Sequence, residues 1–385
     1  MTAPSTDASP PPAEDAAASL RARRRGLRLA CDRVLPGFLE LSIVDELRRV
    51  ADWCAEHGIE HDQYGEADWL QAFERKVATV LGKAAAVFMP SGVMAQLSAV
   101  RLWTDAARVN RIGLHVTSHL LHHEQEAYAA LLQCHAVPLG DRLRPIVAAD
   151  LEAVPQPLAC VIVELPMREV GGVLPTWPEL DALKEAARAR GVRLHMDGAR
   201  LWESAAHYGK TYADIASGFD SVYVSVYKGI GAPAGALLAG DSAFIAEARV
   251  WRRRFGGTLH RLSPLAAAAA MRFDERLALM PALHARALEL ASGLAGLEGV
   301  RVQPSVPHTN MMHLHFDAEA EAVMQARDRI AASVRCWLIG GAVRSEVPGW
   351  SRSELYVGDG LLAAGNATVL PLFRRLCEEM RSASP

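Results

Sequence analysis

The sequence predicts an α/β fold: a three-layer, mainly parallel sheet in a large domain, followed by a smaller α+β domain. Three observations carry that prediction. Short β-rich runs, "ACVIVEL", "VRLHMD", "DSVYVSV" and "GALLAG", are interleaved with a helical stretch, "ELDALKEAARARG", as in βαβ units of a mainly parallel sheet. Beyond a long helical stretch, "LAAAAAMRFDERLALMPALHARALELASGL", the pattern changes, and "VRVQP", "MMHLHFD" and "ELYVGD" read as separate strands with helices between them. Finally, the chain has 385 residues and half of them are hydrophobic, enough for one large core and a second smaller one.

Taken in order, the opening "MTAPSTDASPPPAEDAAAS" is rich in Pro, Ala, Ser and acids, so residues 1–22 read as a disordered tail. It lacks the charged-then-apolar order of a secretory leader, and its acids argue against a mitochondrial one. Residues 23–60 form an N-terminal arm and helix, since "GFLELSIVDELRRVADWCAEHG" has helical periodicity and stops at glycine. "WLQAFERKVATVLG" repeats that design before a short buried strand, "AAAVFM". The large domain is expected over 61–274 and the small C-terminal domain over 275–385. No apolar run approaches the ~18 residues of a spanning helix, and a net charge of −3 points to neither nucleic acid nor membrane. The six cysteines have no metal-ligand or disulfide-framework spacing. They read as mostly buried thiols of a cytoplasmic protein, with no metal site expected.

Two strand ends carry chemistry. Asp197 closes "VRLHMD", and Lys228 follows "DSVYVSVY" into the glycine-rich "KGIGAPAG". Ligands of open α/β sheets sit beyond such carboxyl ends. The two residues could be an ordinary ion pair. The functional alternative is a lysine that forms an imine with a carbonyl cofactor and a carboxylate that pairs with its pyridinium nitrogen, the signature of pyridoxal phosphate enzymes.

"HMDGARLWESA" and "YKGIGAPAGALLAG" resemble the threonine aldolase and β-eliminating lyase family, which has the aspartate-aminotransferase-like fold. The resemblance extends to "DQYGEADWLQAFERKVATVLGKAAAVFMPSGVMAQLSAV" and "SHLLHHEQEAYAAL", covering roughly residues 60 to 265. It implies pyridoxal 5′-phosphate as cofactor, Lys228 as its Schiff-base lysine and Asp197 as the partner of the ring nitrogen. Arg200 in "DGAR" matches the arginine near the phenolic oxygen, where a guanidinium stays charged throughout. His119 matches the histidine stacked on the ring, which can act on a β-hydroxyl. His122 and His123 stand close by in sequence. Ser91 and the amides of Gly92 and Val93, in "PSGVMAQ" at a helix start, match the phosphate site, with Val93 where the family has a hydroxyl. Tyr64 and Gly65 match a loop that reaches a neighbouring subunit's site, which implies a homodimer or homotetramer.

The substrate-carboxylate end departs from the family. Cys31, beside Asp32 in "LACDRV", stands where a serine is usual. Glu354 occupies an arginine position in "SELYVGD", with Arg352 and Arg344 near enough in sequence to substitute. His260 replaces an arginine in "RRRFGGTLHRL", and "ELPMREVGG" has Pro166 and Arg168 where an Asn-Thr-His-like run is usual. Arg168 is the foremost candidate for a relocated carboxylate clamp, since a guanidinium grips a carboxylate with two bonds.

The resemblance implies cleavage of a β-hydroxy-α-amino acid, threonine-like, to glycine and an aldehyde. The alternatives are a β-eliminating lyase, with Lys228 as base and no need of His119, or a cofactor-binding homologue with little turnover.

Overall fold

A computed structural model describes residues 13–39 and 41–382. Its strands are β1 (Arg33–Val34), β2 (Ala85–Met89), β3 (Arg111–His115), β4 (His135–Leu139), β5 (Cys160–Glu164), β6 (Arg193–Gly198), β7 (Ser221–Ser225), β8 (Ala236–Gly240), β9 (Val300–Gln303), β10 (Met311–Phe316), β11 (Cys336–Trp337), β12 (Val343–Arg344) and β13 (Ser351–Tyr356). The helices that matter below are α1 (Ala13–Leu29), α2 (Ile43–Glu56), α3 (Asp68–Val80) and α4 (Gly92–Ala107). The chain divides into two compact units. The larger is Glu40–Ser292 with Gln303–His313, and the smaller is Met1–Leu39, Gly293–Val302 and Leu314–Pro385.

The larger unit is built on a seven-stranded sheet in the order β2-β8-β7-β6-β5-β3-β4. Neighbours pair in parallel from β7 through to β4, while β8 runs antiparallel to both β7 and β2. Reversal of β8 leaves β2 pointing the same way as β7. The carboxyl ends of β2, β3, β5, β6 and β7 therefore open onto one edge of the sheet, where an open α/β sheet binds its ligand. The runs "SVYVS" and "ALLAG" are buried at every position, as strands covered on both faces are.

The expected helices and the five expected strands of this sheet are present. Two of its strands, "RIGLH" and "HAVPL", carry Gly113 and Pro138 and give no β-rich signal. β4 lies at the sheet edge, where a residue without an N–H donor is tolerated. The long helical stretch forms one helix, Ser263–Leu294. It stays with the larger unit through Ser292, past the boundary expected near residue 275. His284 and Arg276 explain this, because they bond to Pro307 O (3.0 Å) and Gly229 O (3.4 Å) of the same unit.

The smaller unit has the parallel pair β1–β11, and most of the four-stranded order β12-β13-β10-β9, with β10 belonging to it from Leu314, supplies the strands expected of an α+β domain. Of the expected disordered tail, residues 1–12 lie outside the described residues. From Ala13 the chain is helical in α1, whose Arg24 pairs with Asp328 and Glu321 of the same unit. No helix among the described residues is long and apolar enough to cross a membrane.

Candidate active site

Each side chain at the open edge of the sheet arrives there for a local reason. Asp197 lies in β6 and pairs with Glu164, the last residue of β5, on one side and with Tyr223 of β7 on the other. Lys228 follows β7 by three residues, in a turn closed by Gly231 N–H donating to Lys228 O at 2.9 Å. His119 sits four residues beyond β3, and α4 begins three residues beyond β2. One cleft is lined by His119, Glu124, Glu164, Arg168, Asp197, Arg200 and Lys228, with Gly92, Val93 and Gln96 of α4 and with Ala199, Tyr223 and Tyr227.

Glycine is required at the start of α4. A Cβ on Gly92 would lie 2.1 Å from Tyr223 Oη, so the helix end can come this close to the sheet only without one. Ser91 caps the helix, its Oγ accepting from Met94 N–H at 3.2 Å. Gly92 and Val93 follow in the first turn, where N–H groups point out of the helix.

The electrostatics are those of a crowded, partly dry cleft. Burial pushes the Lys228 amine below its usual pKa, and the nearby Arg200 guanidinium adds to that. The carboxylates of Asp197, Glu164 and Glu203 pull the other way. Burial also raises Asp197, with Lys228 opposing. Glu164 is pushed up to about 7 by burial and by the neighbouring charge of Asp197. Its Oε1 accepts the Arg168 backbone N–H at 3.0 Å, fixing the short turn that carries Arg168. His119 Nδ1 is 3.0 Å from Glu124 Oε1. The Glu124 side chain is 3% exposed and that of His119 36%, so a buried carboxylate orients a ring open to the cleft.

At the mouth, Arg168 Nη1 bonds Glu169 Oε1 at 3.1 Å, and His123 Nε2 lies 3.3 Å from the same oxygen. His122 turns away, bonding Val116 O at 2.8 Å. Tyr64 and His260 meet each other, with Tyr64 N–H donating to His260 O at 3.1 Å and the rings edge to face at 5.2 Å. Neither is among the residues lining the cleft. Both segments are pinned by buried Asp62, which accepts from the backbone of Gly65, Leu262 and Ser263 at 2.7–2.8 Å. Gly65 has φ +87°, and a Cβ there would lie 2.8 Å from Arg252 Nη2. Cys31 and Arg352 belong to the smaller unit, where Cys31 Sγ donates to Leu27 O at 3.3 Å.

Gln96, Glu164, Tyr223 and Tyr227 also line the cleft, and sequence reasoning assigned them no role. Gln96 had a legible signal: it lies one helical turn after Gly92, on the same face of α4.

This clustering of an amine, an arginine and a carboxylate at adjacent strand ends accompanies a match to the Beta-eliminating lyase family over residues 46–318. The chain belongs to that family. This beta-eliminating lyase family protein is a lyase dependent on pyridoxal 5′-phosphate. It is similar to the structure of a candidate L-allo-threonine aldolase from Listeria monocytogenes EGD-E, at 35% identity and TM-score 0.87, covering 92% of this chain and 98% of that one. It is 28% identical to the low-specificity L-threonine aldolase 1 of Arabidopsis thaliana over 271 residues, 67% of this chain and 75% of the relative. A serine palmitoyltransferase from Sphingomonas wittichii, at 12% identity and TM-score 0.67 over 97% of this chain and 99% of that one, shares the aspartate-aminotransferase-like fold.

Proposed function

We propose that this lyase cleaves a threonine-like β-hydroxy-α-amino acid to glycine and an aldehyde. The observation that carries the reading is the His119–Glu124 pair, a base oriented by a buried carboxylate in the same cleft as Lys228, Asp197 and Arg200. Aldol cleavage needs such a base on the β-hydroxyl, whereas β-elimination needs only a base at the α-carbon.

The residues present fit the cofactor. Lys228, an amine with lowered pKa, is the group to hold its aldehyde carbon, and Asp197 the group to face its ring nitrogen. Arg200 serves the phenolic oxygen, and Ser91 with the Gly92 and Val93 amides the phosphate, whose charge suits a helix start. When bound, pyridoxal phosphate supplies the sink for the electron pair left at the α-carbon.

The chain's own groups do the rest. His119 takes the β-hydroxyl proton as the Cα–Cβ bond breaks and the aldehyde carbonyl forms. Its Nδ1–H stays on Glu124, leaving the outer nitrogen as base. Lys228 returns a proton to the α-carbon, which yields glycine. Arg168 grips the substrate carboxylate and so sets which bond at the α-carbon is aligned to break. Tyr64 and His260, outside the cleft of their own chain, serve a second copy's site, in a cytoplasmic homodimer or homotetramer.

The test is to incubate the cofactor-loaded protein with L-threonine and L-allo-threonine and assay acetaldehyde and glycine. Equal amounts of both are expected. A cofactor-loaded protein that releases neither with any β-hydroxy amino acid would overturn the reading.

A further inference from the structure

Behind Asp197 lies a line of polar groups that the cleavage reaction does not use. Gln96 is 1% exposed, His195 and Ser221 are 0% and Trp103 is 7%, so each must find partners inside the protein. They find one another. Trp103 Nε1 lies 2.8 Å from Ser221 Oγ, and Ser221 Oγ is 2.7 Å from His195 Nδ1. His195 Nε2 lies 2.7 Å from Gln96 Oε1, and Gln96 Nε2 is 2.5 Å from Asp197 Oδ2.

Secondary structure explains how five residues so distant in sequence align. Gln96 and Trp103 are seven apart on α4, hence on one face of that helix. His195 and Asp197 are two apart on β6, hence on one face of the sheet. Ser221 of β7 sits directly opposite His195 in the parallel register. One helix face laid over one sheet face makes the line.

With Gln96 Nε2 donating to Asp197 and Gln96 Oε1 facing His195 Nε2, the direction of its protons follows. An indole N–H can only donate, so Ser221 accepts from Trp103 and its own O–H is left to donate to His195 Nδ1. Burial pushes His195 down to about 3, so the ring is neutral and carries its one proton on Nε2. That proton goes to Gln96 Oε1, and the Gln96 amide N–H then faces Asp197. Every donor points toward the carboxylate, and bonds aligned in this way polarise one another. The other carboxylate oxygen accepts Ala199 N–H at 3.1 Å.

We propose that Trp103, Ser221, His195 and Gln96 form a one-way hydrogen-bond relay that ends on Asp197. The relay keeps the carboxylate ionised and aimed, so that the proton it shares with the cofactor's ring nitrogen resides on the nitrogen. Gln96 and His195 are thus positioning residues for the cofactor's electron-accepting ring. Without the relay's donors, Asp197 becomes more basic and draws that proton to itself.

The inference rests on Asp197 facing the ring nitrogen, and the test separates the two ideas. The pH midpoint of the visible absorption band and the dissociation constant for pyridoxal phosphate are measured in wild type, Gln96→Met, His195→Leu, His195→Gln and Asp197→Asn. Melting of the cofactor-free proteins reports folding. Gln96→Met, which keeps the shape and removes the donor, is expected to raise the midpoint by about one pH unit, the size of one hydrogen bond to a charged group. Cofactor binding should weaken about tenfold by the same measure. His195→Leu is expected to shift in the same direction by less, and His195→Gln, which restores an N–H toward Gln96, to return toward wild type. A folded Gln96→Met with wild-type midpoint and affinity, beside a shifted Asp197→Asn, would overturn the relay alone. An unshifted Asp197→Asn would overturn the placement of Asp197 on the ring nitrogen and the relay with it.

Discussion

The floor and the mouth of the cleft are made differently. At the floor, Asp197 sits on a central strand, and Gln96, His195, Ser221 and Trp103 fix it from behind with bonds of 2.5–2.8 Å in a dry interior. At the mouth, Arg168, His119 and His123 ride on short turns after β5 and β3, half-exposed themselves, and they partner Glu169 and the buried Glu124. The comparison teaches a division of labour. In the proposed reaction the buried floor serves the ring that accepts electrons, whatever bond is broken. In the same proposal the more exposed mouth selects the bond, by orienting the substrate's carboxylate and removing the hydroxyl proton.

The largest expected effect falls at the edge of the floor. Lys228→Ala should abolish the visible band and lower turnover by several orders of magnitude, as read by absorption and aldehyde release. At the mouth, His119→Asn keeps a donor toward Glu124 and removes the outer ring nitrogen. It is expected to lower kcat for aldol cleavage about 10²–10⁴-fold with the visible band unchanged. An equal loss in cofactor affinity would erase the distinction between the two regions.

The same division decides what was legible in the sequence. Lys228, Asp197 and Arg200 stand at the ends of strands with strong β signals, so their meeting in one cleft could be read from short motifs. Gly92 and Ser91 were legible because a helix start has few chemical solutions. The mouth was legible only in part: motifs name His119 and Arg168, but the loops from β3 and β5 that carry them approach each other through tertiary packing. "ELPMREVGG" names Arg168 but says nothing of Glu164 holding its backbone. "RIGLH" was hidden by Gly113, which packs where a Cβ would lie 2.8 Å from Leu139. Gln96 and His195 were legible in spacing alone, four after Gly92 and two before Asp197. Only the register of β6 against β7, with α4 packed over it, shows that Ser221 and Trp103 complete the line.

A smaller effect sharpens the role of the mouth. Arg168→Ala should raise KM for the amino acid about 10–100-fold, the cost of losing a charged hydrogen-bonded pair, with kcat changed less. Unchanged KM would remove Arg168 as the carboxylate clamp.

The smallest effect concerns Glu164, where floor and mouth meet. Its carboxyl, raised from 4.5 to about 7, binds a proton in the folded protein that the unfolded chain has released. Its contribution to stability is therefore full below about pH 4.5 and is lost as pH rises through about 7, a tenfold difference in proton affinity between the two states being worth about 1.4 kcal/mol. Glu164→Gln should flatten that part of the pH dependence of unfolding in the cofactor-free protein, measured by denaturant titration. A slope identical to wild type would mean that Glu164 titrates as an ordinary carboxyl.

Which bond breaks is read in one reaction with L-phenylserine. The cofactor-loaded enzyme is expected to release benzaldehyde and glycine in equal amounts, with His119 as base at the mouth. Phenylpyruvate and ammonia in their place would show the α-proton leaving instead of the Cα–Cβ bond breaking, and would contradict the proposed cleavage.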